Sequence, residues 1–447
     1  MNAFQPTTVS VELGCPQSSL EVVSKVFSVL DAAGIKWCLS HGYEPLLSSV
    51  GSDVDIIVER SVSSTDLVTL FTLTAAEVGA RIVRASEFFI VLNWESPLGV
   101  PHFLALDFSH DVIFKNYLLA RGEDILAARV PFRQLWIPSL YQSLDIDFTR
   151  SVLKRGKGSG VWLCLLHRIR TVASSEQIFA RYIRKSDMLK IYETSSQEGF
   201  EDFLCCLDGM RKWLKLSLFL QSPRHSIQSY FRNGIGRAKR VLNPPGLHVA
   251  LLGPDGAGKS TAITGLEQNL SPLFSATEIQ GFAPSPRDLL GSGIKDTSTP
   301  HALSARSYPV SLVRAAYWLT YALASHFSLR WKKAKNLLIL NDRHFMDILV
   351  DPARYRYGGP TWALRLIKKI APQPDLIILL NGSPGAIQAR KKELTVEETA
   401  RQCEAYRSLV CSIDCGRMVD AMQSPAEVVV RISKLAVAEW GRKFVGS

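Results

Sequence analysis

The feature that most constrains this chain is the segment from Gly253 to Thr261, which reads GPDGAGKST. It contains the pattern Gly-x-x-x-x-Gly-Lys-Ser, it follows the apolar run VALLG, and it precedes a stretch with helical spacing. Glycines at these spacings let backbone N–H groups curl around phosphate oxygens, and the following helix adds the positive end of its dipole. The segment therefore predicts a phosphate-binding loop (P-loop) for a nucleoside triphosphate.

Each polar residue of this loop has an expected part in binding ATP and Mg²⁺. Lys259 would place a cation on the β- and γ-phosphates, and Ser260 would offer its hydroxyl to Mg²⁺. An ordinary glycine turn is the alternative, which the flanking strand and helix disfavour. The loop residues predicted to bind the cofactor are Gly253, Asp255, Gly256, Gly258, Lys259, Ser260 and Thr261.

Strand and helix patterns alternate around the loop, and this alternation predicts an α/β domain with a parallel sheet and flanking helices. Further towards the N-terminus the pattern mixes helices and strands, which predicts an α+β core. A chain of 447 residues is long enough for two or three domains. The predicted parts are the α+β core at 1–112, a helical region at 113–222, a basic connector at 223–246 and the α/β domain at 247–447.

A second constellation lies near the N-terminus. His41-Gly42 is followed by Gly51-Ser52-Asp53-Val54-Asp55, and the last three residues begin a β-branched run. Alternate residues of a strand share one face, so Asp53 and Asp55 would point the same way and could hold Mg²⁺ between them. Asp107, in the strand pattern FLALDF, is the candidate third carboxylate. An acidic edge strand that caps a turn is the alternative.

The C-terminal part, over about 247–447, resembles the thymidylate kinase family of P-loop kinases. The resemblance rests on GPDGAGKST, on Asn341-Asp342-Arg343-His344 after the strand NLLIL, and on Ala389-Arg390-Lys391-Lys392. It implies that Asp255 faces the acceptor and that Asp342 serves the Mg²⁺ site or activates the acceptor. It further implies that Arg343 grips an acceptor phosphate, and that Arg390 and Lys391 form a lid over the transferring phosphoryl group.

The acceptor side differs from that family. Gly281-Phe-Ala-Pro-Ser-Pro286 stands in place of the family's acceptor loop, and residues 345–360 read FMDILVDPARYRYGGP. We expect Asp347, Asp351, Arg354 and Arg356, with Gly358-Gly359, to shape a different acceptor pocket. This variant resembles thymidylate kinase-like proteins encoded with bacterial surface-polysaccharide enzymes, which implies a sugar or sugar-phosphate acceptor.

Residues 20–110 resemble the nucleotidyltransferase superfamily of the DNA polymerase β type. Gly42 matches the glycine after the first strand of that superfamily, and Asp53-Val54-Asp55 matches its Asp-x-Asp pair. The resemblance implies that Asp53, Asp55 and Asp107 bind metal for nucleotidyl transfer. Tyr43 departs from the pattern, because a second Gly or Ser is usual there.

The charge is unevenly distributed along the chain. Residues 1–150 hold 10 Lys and Arg residues and 17 Asp and Glu residues. The full chain holds 52 and 41, so residues 151–447 hold 42 Lys and Arg residues and 24 Asp and Glu residues. A basic C-terminal part suits phosphate-rich ligands, while nucleic acid is not indicated and peripheral membrane contact stays possible. Ser311–Leu329 is the most apolar long segment, but Arg314 and His326 favour a buried or amphipathic helix over a spanning one. A cytoplasmic protein is expected.

Three functions follow as hypotheses. The first is a fused enzyme that transfers the γ-phosphoryl group of ATP to a small nucleotide or sugar-phosphate acceptor, with a possible second, nucleotidyl-transfer activity. The second is a dTMP or other nucleoside monophosphate kinase with a degenerate N-terminal domain. The third is a protein whose binding or assembly is regulated by ATP.

Overall fold

The computed structural model describes residues 19–40, 53–154, 165, 167–169, 197–281, 304–391 and 394–445. The chain divides into two compact units after Gly236, and residues 98–102 group with the second unit. Each unit is built around its own five-stranded sheet.

The first unit has a mixed sheet in the order β1-β2-β5-β4-β3. Strand β2 pairs antiparallel with β1 and parallel with β5. Helix α1 packs on this sheet, and Phe27 of the helix stacks on Trp37 with ring centroids 4.2 Å apart. The predicted mixture of helices and strands in this region is observed. The elements are α1 Ser19–Ala32, β1 Trp37–Leu39, β2 Asp53–Val58, α2 Ser64–Val78, β3 Arg81–Ser86, β4 Phe89–Glu95 and β5 Pro101–Ser109. The sequence did not predict α2 or β3.

The prediction of a wholly helical region at 113–222 is wrong at its start. Two hairpins occupy 111–137, and the predicted boundary at 112 falls inside the first of them. Their turns place Lys115 and Arg133 at φ +57 and +56, a conformation for which the sequence gives no glycine signal. The elements are β6 Asp111–Phe114, β7 Tyr117–Arg121, α3 Gly122–Ala127, β8 Val130–Phe132 and β9 Leu135–Ile137.

Long helices follow these hairpins. Helix α4 (Leu140–Leu153) packs against α5 (Gln197–Gln221), which buries Met210 and Leu214. The predicted connector at 223–246 is also largely helical, because α6 spans Pro223–Leu242. The breaker Asn243-Pro244-Pro245-Gly246 does end this helix.

The second unit confirms the predicted α/β architecture. All five strands are parallel, in the order β11-β12-β10-β13-β14. The central strands β10 and β13 are almost fully buried, which is why they read as mostly apolar runs. The strands are β10 Leu247–Leu252, β11 Ala276–Gln280, β12 Leu337–Asn341, β13 Leu376–Asn381 and β14 Gly416–Asp420.

The order of these strands creates one reversal point. The chain runs from β10 to one edge and back to β12, then crosses to β13 on the other side of β10. Open parallel sheets bind ligands at the carboxyl ends of strands beside such a reversal. The flanking helices are α7 Lys259–Leu270, α8 Tyr308–Ala334, α9 Asp347–Val350, α10 Thr361–Ile370, α11 Pro384–Arg390, α12 Val396–Cys411 and α13 Pro425–Val445.

Helix α8 contains the most apolar segment of the sequence. It buries Ala315, Trp318 and Ala322 and exposes Val313 and Phe327, as expected for an amphipathic helix. Among the residues that the structure describes, no helix is long and apolar enough to cross a bilayer.

Candidate functional sites

Residues 253–258 of the glycine-rich segment form the turn between β10 and α7, as predicted, and residues 259–261 begin α7. Gly253, Gly256 and Gly258 have φ values of +145, +88 and +94, which residues with a side chain adopt at a cost. A Cβ atom on Gly256 would lie 2.9 Å from the carbonyl oxygen of Ile387. The turn is therefore closely packed against α11, and its path depends on glycine.

The start of α7 is arranged to receive an anion. Its N-cap is Gly258, so no side chain caps the first N–H groups of the helix. Helix geometry leaves these N–H groups without partners inside the helix, and the dipole makes them electropositive. This end of the helix lies at the carboxyl end of β10, beside the reversal point of the sheet.

Lys259 is almost fully buried beneath the turn. Its Nζ donates hydrogen bonds to the carbonyl oxygens of Gly253, at 2.7 Å, and Pro254, at 2.9 Å, and lies 3.6 Å from Asp255 Oδ1. Burial lowers the pKa of the ammonium group, and the Asp255 carboxylate opposes this effect. Lys259 thus spans the turn from inside and sits where its charge can reach phosphate bound by the loop.

Asp255 joins the turn to residues far along the chain. Arg343 donates to its Oδ1 at 2.9 Å, and Arg354 forms a still closer ion pair with its Oδ2. Burial favours the neutral acid, but Lys259, Arg343 and Arg354 outweigh it and hold the pKa of Asp255 well below its usual range. Asp255 was expected to face the acceptor. In the structure its carboxylate faces the guanidinium groups of Arg343 and Arg354.

Asp342 follows β12 directly, next to the strand that leads into the turn. Its backbone N–H donates to Gln280. Its Oδ1 is buried and accepts no hydrogen bond from any residue that the structure describes. A buried carboxylate oxygen in this position could bind an Mg²⁺ ion or its water, and the role expected of Asp342 stays a prediction.

The residues expected between 345 and 360 to shape an acceptor pocket have different hydrogen-bond partners. Asp347 is buried, where its carboxylate accepts bonds from the Tyr406 hydroxyl at 2.7 Å and the His344 N–H at 2.6 Å. Asp351 accepts from the backbone N–H of Arg354 at 3.0 Å. Arg356 donates to the Ser304 carbonyl. Of these four residues only Arg354 contacts Asp255. The sequence placed Arg354 in the acceptor set but did not predict this ion pair.

Ser260 and Thr261 are exposed on α7 and open onto a groove of about 590 Å³. The far wall of this groove is the start of α13 at Pro425 and Ala426. Helix α7 approaches α13 closely at Gly265, where a Cβ atom would meet Val429 at 2.5 Å. The groove has the volume of a ligand pocket and begins at the residues expected to bind Mg²⁺ and phosphate.

The residues expected to form a lid lie at the end of α11. The Cβ atom of Lys391 would be 3.1 Å from a Cβ added to Gly256, so this residue borders the turn. Arg390 instead donates to the Ala421 carbonyl oxygen at 3.1 Å. Lys392 and residues 282–286 of the acceptor segment lie outside the described residues.

In the first unit, the predicted carboxylates do come together. The parallel pairing of β2 with β5 places Asp55 directly opposite Asp107, with Asp53 two residues before Asp55. Burial, then the charges of Asp107 and Asp53, raises the pKa of Asp55 to about 6. Burial and Asp53 also raise the pKa of Asp107. The three carboxylates therefore repel one another in one patch of the sheet.

Arg150, on α4, partly offsets this repulsion by lowering the pKa of Asp55. The sequence gives no motif for Arg150, because it lies in a helix far along the chain from the Asp-x-Asp pair. His41, Gly42, Tyr43, Gly51 and Ser52, the remainder of this constellation, lie outside the described residues.

The residues predicted to bind metal are Asp53, Asp55 and Asp107 in the first unit and Ser260 with Asp342 in the second. Within the described part of the chain, no three His, Cys, Asp or Glu side chains are arranged to hold a metal ion by themselves. Mg²⁺ commonly takes one or two protein carboxylates and completes its shell with water and substrate phosphate. Metal binding by either set stays a prediction.

Comparison with known proteins adds no assignment: no protein-family model matches the chain, and no curated protein matches it.

A substitution tests whether the path of the turn requires glycine. We expect Gly256→Ala to lower the free energy of unfolding by about 1 to 3 kcal/mol, since the new Cβ would meet the Ile387 carbonyl at a positive φ. ATP should then no longer raise the melting temperature. Gly385→Ala is the matched control, because its Cβ would enter open space. Equal stability and equal ATP response in the two variants would contradict this role of Gly256.

Proposed function

We propose that the second unit is a P-loop kinase, which transfers the γ-phosphoryl group of ATP to a small phosphorylated acceptor, a nucleotide or a sugar phosphate. The observation that carries this proposal is the joining of the glycine-rich turn to a second strand end through Asp255, Arg343 and Arg354. A nucleotide-binding turn needs no such cluster to bind ATP alone. Cations gathered beside the γ-phosphate position suit phosphoryl transfer, which depends on positioning and charge neutralisation.

The donor side would be held by the turn and its helix. Backbone N–H groups at 256–260 would bind phosphate oxygens, and Lys259 would neutralise charge on the β- and γ-phosphates. Ser260 and Asp342 are the residues that would hold Mg²⁺, which supplies charge neutralisation between the phosphates. The groove beside Ser260 and Thr261 offers room for the rest of the nucleotide.

The acceptor side is indicated by the arginine pair. The pKa of Asp255 is held so low that its carboxylate is a weak proton acceptor, which makes it a poor general base. Its function is better explained as fixing Arg343 and Arg354 in place. Two fixed guanidinium groups match the oxygens of a phosphate monoester. In the transfer, an acceptor oxygen would bond to the γ-phosphorus as the bond to the β,γ-bridging oxygen breaks, and ADP leaves.

Isotope-labelled ATP offered with a panel of acceptors tests this proposal. The panel pairs each phosphate ester, including dTMP, UMP and several sugar phosphates, with its unphosphorylated parent. We expect label transfer to a phosphate ester and not to its parent, and loss of transfer in Arg354→Met. Transfer only to unphosphorylated compounds, or no transfer to any acceptor, would count against it. Preference for dTMP or UMP would support the alternative of a nucleoside monophosphate kinase.

We propose nucleotidyl transfer as a second activity, in the first unit. The pairing of Asp55 with Asp107, beside Asp53, supports it, because adjacent carboxylates in one sheet are unfavourable without a cation. Asp53, Asp55 and Asp107 would hold Mg²⁺, which would neutralise a bound triphosphate. Both activities use small phosphorylated substrates of the cytoplasm, and we propose that compartment for the protein.

The acidic patch predicts a gain of stability on substitution. A folded-state pKa raised from 3.8 to about 6 favours folding below pH 4, and this contribution is lost as the pH rises through 6. At pH 7 we therefore expect Asp55→Asn to raise the free energy of unfolding by about 1 to 3 kcal/mol, with little change near pH 3.5. Urea unfolding at the two pH values measures it.

The effect of Mg²⁺ on stability tests whether the same carboxylates bind a cation. It should stabilise the wild-type protein and have less effect on Asp55→Asn, since binding to the folded state alone raises stability. The exposed Glu77→Gln is the control on the same unit. An Asp55→Asn protein that is no more stable than wild type at pH 7, and equally responsive to Mg²⁺, would refute the proposed patch.

A protein regulated by ATP, without product formation, is the third candidate. It would show ATP binding that depends on Lys259, and assembly that changes with ATP, while the acceptor panel yields no labelled product.

A further inference from the structure

Helix α6 buries small polar residues and exposes large apolar ones. Ser226 and Ser229 are buried, and Asn233 bonds to Asn116 and to the Lys115 carbonyl, so small polar residues face the first unit. Ile227, Phe231 and Ile235 are exposed, by 47%, 70% and 57%. Surface helices ordinarily bury the apolar face, so this arrangement leaves an apolar stripe without a partner in the described structure.

The exposed apolar residues form one continuous stripe. Ile227, Phe231 and Ile235 follow one another at four-residue spacing, and Leu242, 66% exposed, continues the same face by the geometry of an α-helix. We call this stripe and its flanking basic residues the α6 face. Its basic residues are Arg232, Arg237 and Lys239, all exposed.

Charge identifies the kind of partner. Helix α6 carries five Lys and Arg residues and no Asp or Glu over residues 223–242. At about 100° per residue, Arg232 and Lys239 border one side of the stripe and Arg237 borders the other. An apolar stripe flanked on both sides by cations matches a surface that is anionic outside and apolar beneath.

We propose that the α6 face binds the surface of an anionic lipid bilayer. The helix would lie in the plane of the interface, with Phe231 and Ile235 among the acyl chains and the basic side chains at the phosphate level. Nucleic acid would use the cations but offers no apolar phase for Ile227 and Ile235. The proposed enzymatic sites lie in other parts of the chain, so docking would bring the protein to a membrane without using its catalytic residues.

Co-sedimentation of the full chain with vesicles tests the proposal. The probes are vesicles of phosphatidylcholine alone and vesicles that also contain phosphatidylglycerol, at low and high salt. We expect binding only to the anionic vesicles, weakened by salt. The double variant Phe231→Ser/Ile235→Ser should lower the partition coefficient at least about tenfold. The double variant Arg232→Glu/Lys239→Glu should lower it by a comparable factor, through the loss of attraction to anionic lipid.

Leu73→Ser is the matched control, because Leu73 is 76% exposed and belongs to a different helix, α2. It should bind vesicles like wild type. Melting temperatures of all variants should stay near that of wild type, since every substituted residue is exposed. Binding to both vesicle types alike, no binding of the wild type, or unchanged binding of the Phe231→Ser/Ile235→Ser protein would overturn the proposal. So would a stripe covered by a second copy, seen as a dimer in wild type and a monomer in that variant.

Discussion

Lys259→Met is expected to reduce phosphoryl transfer by at least about 10³-fold, because a buried cation beside the β- and γ-phosphates stabilises the transferring group. The fold should survive the change. Asp255 keeps both guanidinium partners when Lys259 is removed, so no buried charge loses its last counter-ion. Steady-state kinetics with the best acceptor of the panel measures the loss, and thermal unfolding without ligand verifies the fold.

The exposed Lys369→Met is the matched control, since it makes the same chemical change in the same unit. It should retain wild-type turnover. If Lys259→Met kept wild-type turnover while folded, the kinase proposal would fail. If it lost ATP-dependent assembly and the wild type formed no product, the ATP-regulated alternative would be favoured.

Asp255→Asn is expected to destabilise the second unit by about 3 to 5 kcal/mol at neutral pH. It would leave Lys259, Arg343 and Arg354 close together without their shared counter-ion, and removing one member of a buried ion cluster costs about this much. Urea unfolding at neutral pH measures it. Glu404→Gln, which breaks an exposed ion pair with Arg407, is the control and should change stability by less than about 1 kcal/mol.

A second substitution separates charge from packing. Asp255→Asn/Arg354→Met should recover part of the lost stability, because it removes one of the cations that Asp255 had neutralised. The two changes should therefore be non-additive. If the double variant is less stable than Asp255→Asn by the full effect of Arg354→Met in wild type, the ion cluster is not what stabilises this region.

The pH dependence provides an independent test of the same cluster. The pKa of Asp255 is lower in the folded state than in the unfolded state, so its contribution to stability is present above about pH 4. It is lost as the pH falls from there towards the folded-state pKa. The difference between wild type and Asp255→Asn should be constant from pH 5 to 8 and shrink below pH 4.

The central elements of the second unit could be predicted because their residues are buried on both faces. Strands β10 and β13 are mostly apolar, apart from His248 in β10 and Asn381 at the end of β13, and the helix expected after the glycine-rich segment is α7. The edge strands β11 and β14 were missed. Their exposed and half-buried residues, such as Thr277, Glu278 and Arg417, give no apolar run, because an edge strand buries less of its surface.

The first unit shows a different limit of sequence reasoning. Hairpins at 111–137 were missed because their strands are short and because Lys115 and Arg133 replace the glycine expected in such turns. The Asp-x-Asp pair and Asp107 were identified in advance. The pairing of Asp55 with Asp107 and the position of Arg150 near Asp55 were not predicted. Contact between residues on separate elements leaves no local pattern in the sequence.

The sequence by itself determined the glycine-rich turn between a buried strand and a helix, because glycine spacing and apolar runs act over a few residues. It also determined which carboxylates could share a face. Only the tertiary structure decided that Asp255 is bound by Arg343 and Arg354, that Asp347 is an internal hydrogen-bond acceptor, and that α6 turns its apolar stripe outward. These outcomes depend on which distant elements pack together, and burial and neighbouring charge, rather than residue type, set the role of each side chain.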